Sequence, residues 1–290
     1  MKHLVIPCGD IYEGRLAFAS ERDWEDVLLN GLFHLKIPKE LDCTHCVEFC
    51  RSFYLPSRHV KDSYRGWRTK HMPGSVLGYS NTGADQVEML QIELHLWDAY
   101  LPKNLTNALR IMNDIGRIIV RAFFAKCGVK QEDVAIIAEG MEANEALQYG
   151  IFNHFESKKN GTDGFTPHKD SGFLQLMYIH EPGFEAWDGS SWCAIAPLPG
   201  HLTAVLGHSL EVLTEMMPTR VIASYHRVRM VCENDRTSFG IYLGPTFKQN
   251  LYQYDNDGKL SVYMPFEDFQ RQKAIGMGYE FHPALNGKAL

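Results

Sequence analysis

His168 and Asp170 stand two apart in the stretch TPHKDSGF. Side chains of an extended chain alternate between faces, so residues i and i+2 share one. An imidazole and a carboxylate placed this way are two ligands for one metal ion. The pattern is common by chance, and its weight depends on a third ligand delivered by the same scaffold. Of the downstream histidines, His180 precedes EPG, His201 follows PLPG and His208 lies in LGHSLEV, each at a turn or at the start of a short helix. His226 differs. It lies inside RVIASYHRVRMV, a β-prone run bounded by turn residues and far enough beyond Asp170 for several strands to intervene.

Two imidazoles and one carboxylate on a rigid β scaffold form the facial donor set that suits non-haem Fe(II) and leaves three coordination positions open. A structural zinc site would be closed, and a catalytic one would keep a single open position. The next strand adds an acid anchor. In ENDRTSFGIYLGP, Arg236 and Ser238 share a face, and a guanidinium fork beside a hydroxyl suits a carboxylate. If residue 232 pairs with 236 across a tight turn, 226 opposes 242 and shares its face with 236 and 238; a slip of one residue would spoil that arrangement. The run CTHCVEFC, with Cys43, Cys46, Cys50 and His45, lacks the distant second ligand pair of a zinc site and has helical apolar spacing. Its thiols read as small hydrophobes.

The elements that must position these residues fall into two textures. Residues 1–146 read mainly helical, with helices expected over 22–30, 40–51, 85–98 and 103–127. In the last of these, Leu105, Leu109, Met112, Ile115 and Ile119 recur at steps of three and four between Pro102 and Gly128. From 147 to 290 the chain breaks into short β-prone runs: LQYGIFNHF, GFLQLMYI, FEAW, WCAIA, LTAVLG, RVIASYHRVRMV and SFGIYLG. They are separated by turn signals such as EPG, DGSS and PLPG. That alternation predicts a mainly β protein whose double-sheet jelly-roll core carries a helical N-terminal region packed against it, the two forming one structural unit. A short helix is expected over 266–274.

Composition narrows the function class. The 290 residues are 45% hydrophobic and 22% charged, with a net charge of −6. The charge opposes a polyanionic partner, and no Lys/Arg stripe offsets it, which argues against nucleic acid. No apolar run approaches the roughly 20 residues of a membrane span, and the first residues lack a signal-peptide core. A cytoplasmic protein acting on a small molecule is the expectation.

Together these motifs resemble the isopenicillin N synthase-like group of Fe(II)- and 2-oxoglutarate-dependent oxygenases. HxD at 168–170, HRV at 226–228 and RxS at 236–238 are the specific elements. NGLFHLKIP, FYLP, LGYS and PGFEAWDGSSWCAIAPLPGHLTAVLGHSLEVLT are similar to further family segments along most of the chain. The resemblance implies a double-stranded β-helix in which His168, Asp170 and His226 bind iron, while Arg236 and Ser238 hold the distal carboxylate of 2-oxoglutarate. It also implies O2 as cosubstrate, ascorbate as a candidate reductant, and oxidation of a small metabolite coupled to formation of succinate and CO2. The outcome would be hydroxylation, desaturation or ring formation. Two iron oxidases of this group also carry RxS, so an oxidase working without 2-oxoglutarate stays open, as does a non-catalytic metabolite-binding jelly roll. Asn153 in FNHF matches the Asn of the family's NYY stretch. Phe155 falls where many members have a cosubstrate-binding Tyr, and His208 replaces the usual Asp of GD-x-LE. For the substrate pocket the candidates are Tyr79, Asn153, Phe155, Leu174, Phe247 and Tyr252, with Arg65 and Arg68 as possible grips on an acidic substrate. Analogy favours an amino-acid-derived or other specialised metabolite.

Overall fold

The computed structural model describes residues 2–81, 87–138, 141, 147–157, 163–230 and 234–276. The N-terminal strands are β1 (Lys2–His3), β2 (Cys8–Tyr12), β3 (Arg15–Phe18), β4 (Leu32–Lys36), β5 (Gly78–Ser80) and β6 (Val87–Glu93). Eight more follow: β7 (Leu147–Phe155), β8 (Asp163–His168), β9 (Leu174–Ile179), β10 (Phe184–Trp187), β11 (Trp192–Ala194), β12 (His201–Leu206), β13 (His226–Arg229) and β14 (Arg236–Gly244). A hairpin of β15 (Asn250–Tyr254) and β16 (Leu260–Pro265) precedes a final helix, Phe266–Gly276.

Strands β7 to β14 switch back and forth between two sheets, the winding of a jelly roll. The larger sheet has the order β3-β2-β4-β12-β9-β14-β7-β6-β5, and the smaller β1-β11-β10-β13-β8. The N-terminal strands therefore extend the roll at its edges, so the first 146 residues supply sheet as well as helix.

Both faces of the large sheet carry buried apolar residues, because each face is covered. On its outer face Leu174, Leu176, Phe239, Ile241, Leu243 and Phe152 pack against the helix Lys103–Cys127, whose Leu105, Leu109, Met112, Ile119 and Phe123 are fully buried. Each such side chain stabilises the fold by about 1.5–3 kcal/mol. Gly128, at φ +82°, ends that helix in the left-handed conformation that glycine adopts without strain. The helix Glu21–Asn30 begins at Ser20, whose hydroxyl accepts from the Asp23 amide while the Asp23 carboxylate accepts from the Ser20 amide. On the inner face Phe155, Met177, Ile179 and Val205 meet Phe184, Ala186 and Val228 of the small sheet.

Three expectations are corrected. Of the segment expected to be helical over 85–98, residues 85 and 86 lie outside the described residues and the rest is strand β6, followed by a 3-10 turn at Leu94–Leu96 and the start of a short helix, Trp97–Tyr100. Val87, Leu90 and Leu94 imitate helical spacing, but β7 and β5 supply ladder partners on both sides, and a local pattern cannot register them. Residue 232 lies outside the described residues, and β13 does not pair with β14: β13 lies between β10 and β8, while β14 lies between β7 and β9. The link between β13 and β14 is thus a crossing between sheets, and the 226–242 pairing does not form. Asp170, finally, lies beyond the end of β8 rather than on the strand with His168.

Cys46 and Cys50 are buried in the helix Thr44–Cys50, and the Cys50 thiol donates to the Ser238 carbonyl at 3.3 Å. Burial pushes both thiols up, as the hydrophobe reading expects. Among the described residues no helix is long and apolar enough to cross a membrane.

Candidate functional site

His168 ends β8 and His226 begins β13, and the two are direct cross-strand partners in the small sheet. Their rings stand side by side with centroids 4.4 Å apart. Each Nδ1 lies against a carbonyl two residues earlier, His168 on Thr166 at 2.7 Å and His226 on Ser224 at 3.1 Å. A carbonyl can only accept, so Nδ1 is the donor in both rings and Nε2 is the nitrogen left to ligate. Both Nε2 atoms face Asp170, at 3.5 Å from Oδ1 for His168 and 3.8 Å from Oδ2 for His226. One ligand atom from each of the three residues lies within 4.8 Å of the other two.

Electrostatics match this geometry. Burial, helped by the neighbouring His168, lowers the His226 imidazole to about 4, so it is neutral near pH 7. Burial alone would raise the Asp170 carboxyl, but His226 and His168 pull it below the ordinary carboxylate range. Its Oδ2 is buried and, among the described residues, accepts no hydrogen bond. A buried carboxylate oxygen left this way is costly in an apolar surrounding. Two imidazoles whose Nδ1 atoms are engaged by carbonyls and one carboxylate are the donors that a divalent cation takes, so the set fits one.

The large sheet faces this cluster with a polar patch. Arg236 and Ser238, the first and third residues of β14, are 2% and 4% exposed. Across the ladder they oppose Phe155 and Asn153 of β7. The Asn153 amide donates to the Ser238 hydroxyl at 3.2 Å, while its own Oδ1 is buried and has no donor among the described residues. The Arg236 guanidinium lies 4.9 Å from the centre of the Phe155 ring, a cation–π distance. Phe155 therefore offers Arg236 a ring face where a tyrosine would add a hydroxyl.

Other candidates lie elsewhere. Leu174 is fully buried on the outer face under the long helix. Tyr79 opposes Leu90, which puts it on the outer face as well, with its hydroxyl on Glu88. Phe247 packs beside Phe266 in a small C-terminal cluster, and Tyr252 against the outer core. Arg68 pairs with Glu88, and the Arg65 carbonyl accepts from Ser57. Sequence reading missed Met89, Tyr149, Ile151, Met177 and Tyr242, which share the inner face with Asn153 and Ser238 by register. Counting in twos from Asn153 and Ser238 finds Ile151, Tyr149 and Tyr242. Met89 and Met177 required the strand pairing.

Residues 146–245 match the family described as the 2OG-Fe(II) oxygenase superfamily. Over 142 residues the chain is 25% identical to gibberellin 3-beta-dioxygenase 2-3 of Triticum aestivum, covering 47% of this chain and 38% of that protein. Over 73 residues it is 32% identical to 2-oxoglutarate-dependent dioxygenase 21, chloroplastic, of Oryza sativa subsp. japonica, covering 23% and 22%. The match thus spans well under half the length of either curated relative. Among solved structures, the dioxygenase for auxin oxidation of rice superposes with a TM-score of 0.67 at 18% identity, over 97% of this chain and 98% of that one. A full-length Neurospora crassa protein solved in complex with alpha-KG and thymine gives 0.68 at 14%, over 94% and 97%. These two share the fold. Residues 146–245 of the chain thus carry the match to the 2OG-Fe(II) oxygenase superfamily.

Proposed function

We propose that the protein is an Fe(II)- and 2-oxoglutarate-dependent oxygenase of a small-molecule metabolite. The observation that carries the reading is a largely buried His168–Asp170–His226 donor set on one side of the roll facing a buried Arg236–Ser238–Asn153 patch on the other. His168, Asp170 and His226 would hold the iron and leave three positions for cosubstrates. Bound there, Fe(II) with 2-oxoglutarate supplies O2 activation coupled to release of succinate and CO2.

The chain's own residues perform the rest. Arg236 and Ser238 bind the distal carboxylate through charge-assisted hydrogen bonds, with Asn153 orienting the serine hydroxyl. The Nδ1 hydrogen bonds of His168 and His226 keep both rings in the ligating tautomer. Phe184, Val228, Met177 and Ile179 exclude water from the space between the sheets. A metabolite-sized substrate is supported by the relatives, whose names refer to gibberellin, auxin and thymine.

Phe155 favours one second reading, an iron oxidase of the same fold working without 2-oxoglutarate, because the anchor lacks a tyrosine hydroxyl. Anaerobic titration of the Fe(II) protein with 2-oxoglutarate, followed by its visible charge-transfer band, separates the two. The band is expected in the parent, lost in His226→Ala, and shifted at least about tenfold to higher 2-oxoglutarate in Arg236→Ala, whose lost charge-assisted bonds are worth about 1.5–3 kcal/mol. Equal affinity in Arg236→Ala would remove Arg236 from the anchor. Turnover without succinate would favour the oxidase, and failure to bind Fe(II) would leave only a binding protein.

A further inference from the structure

Asp170 is the one member of the triad outside the β ladders, so neither sheet fixes its backbone. Its place depends on the peptides that flank it. On one side the helix His208–Thr214 holds the loop: the His208 amide donates to the Asp170 carbonyl at 2.7 Å, the Ser209 hydroxyl to the Ser171 carbonyl at 2.5 Å and the Ser209 amide to the Gly172 carbonyl at 3.1 Å.

The other side is held by the C-terminal helix, Phe266–Gly276. Its inward stripe is Phe266, Phe269, Gln270 and Lys273, the i, i+3, i+4, i+7 spacing of a helix face packed on a core. Phe266 and Phe269 are buried as that spacing requires. Gln270 and Lys273 are polar at positions where an apolar residue would pack at lower desolvation cost. Their partners account for them. The Lys273 ammonium donates to the carbonyl of Lys169, and Gln270 Nε2 donates to the Ser171 hydroxyl at 2.5 Å. Ser171 Oγ is held further by the Tyr242 hydroxyl at 2.7 Å. Lys169 and Ser171 are the residues immediately before and after Asp170. Two residues nearly one turn apart on one helix face thus grip the metal-loop chain on both sides of its carboxylate.

We propose that Gln270 and Lys273 are positioning residues of the metal centre, and that docking of the C-terminal helix sets the divalent-cation affinity of the His168–Asp170–His226 site. The inference rests on the metal-centre reading above. The helix touches no ligand atom of the triad by these bonds; it acts through the peptides that aim Asp170. Partners that orient metal ligands typically change affinity about 10- to 100-fold when removed.

The test uses the full chain and Mn(II), a redox-stable probe whose free form is counted by its paramagnetic resonance signal. Gln270→Ala and Lys273→Met are each expected to weaken Mn(II) binding about tenfold, and the double variant up to about 100-fold. Lys273→Arg, which keeps a cationic donor, recovers most of the loss. Gln272→Ala, an exposed position on the same helix, leaves affinity at the parent value. The melting temperature of the metal-free variants separates positioning from general loosening, and should stay within a few degrees of the parent. If Lys273→Met does not fold, Lys273→Gln and Gln270→Ala carry the measurement. Parent-like Mn(II) affinity in the double variant overturns the inference while leaving the metal centre intact. Weakening matched by Gln272→Ala, or by an equal collapse of metal-free stability, overturns it as well. A parent chain that takes up no Mn(II) overturns the metal-centre reading itself.

Discussion

At Phe155 a ring supports the guanidinium of Arg236 from 4.9 Å, in a position fully inside the roll. Two roles are combined there, packing and electrostatics, and substitution separates them. Phe155→Tyr adds a hydroxyl near the anchor and is expected to tighten 2-oxoglutarate by about 2- to 10-fold, the worth of one net hydrogen bond; the charge-transfer titration reads it directly. Weaker binding would mean that the ring's seat under Arg236 matters more than an added donor. Two histidines set a pH dependence. Burial lowers His226 and His208 to about 4, below the usual 6.5. Between those values the unfolded chain binds protons that the folded chain refuses, so stability is lost as pH falls through 6.5 toward 4. For metal-free protein the loss at His226 is about 2–3 kcal/mol by pH 4, and smaller at His208, which is more exposed. Urea midpoints at pH 7, 5.5 and 4.5 should fall accordingly, with His208→Gln flattening part of the slope. A midpoint unchanged across that range would show that these imidazoles are solvated.

Elements meet closely at the metal loop. A Cβ on Gly207 would come within 2.2 Å of the Gly172 carbonyl oxygen, so the strand-to-helix corner before His208 rests directly on the loop that carries Asp170. Gly207→Ala must displace that backbone, and is expected to cost more than about 2 kcal/mol, in the range of overpacked interiors, and to weaken Mn(II) binding as well. Parent-like metal affinity in a destabilised Gly207→Ala would separate the corner from the site. Sequence pattern had marked most of these elements. LQYGIFNHF, FEAW and the stretch around the long helix were legible because their periodicity is strong. Strand β6 was not, since Val87 and Leu90, with Leu94 just beyond the strand, satisfy a helical period until β5 and β7 are known to flank it. The HRV strand was legible as a strand, but its sheet was not, because partner choice is decided by residues far away in sequence.

Across the whole molecule, the apolar clusters on the two faces of the large sheet form without the proposed metal ligands, so removal of metal should leave the fold standing. Metal and 2-oxoglutarate then add stability by mass action, about 2.7 kcal/mol at a hundredfold excess over the dissociation constant, or roughly 5–10 °C for a protein of this size. Thermal shift should rise with Mn(II), rise further with Mn(II) plus 2-oxoglutarate, and return to the metal-free value with chelator. A larger shift from 2-oxoglutarate alone than with metal would place its binding away from the triad.

His168, Asp170, His226, Arg236 and Ser238 were singled out as candidates by sequence alone, as was the β texture that carries most of them, because donor chemistry and the period of two are local properties. What tertiary structure decided is their arrangement: both histidines on the small sheet, the anchor on the large one, Asp170 on a loop between elements. It also turned Leu174 and Tyr79 outward, and it brought Gln270 and Lys273, about a hundred residues away, to the two sides of Asp170. Such pairings depend on which sheet each strand joins and where the last helix docks, and both are settled by burial over the whole core.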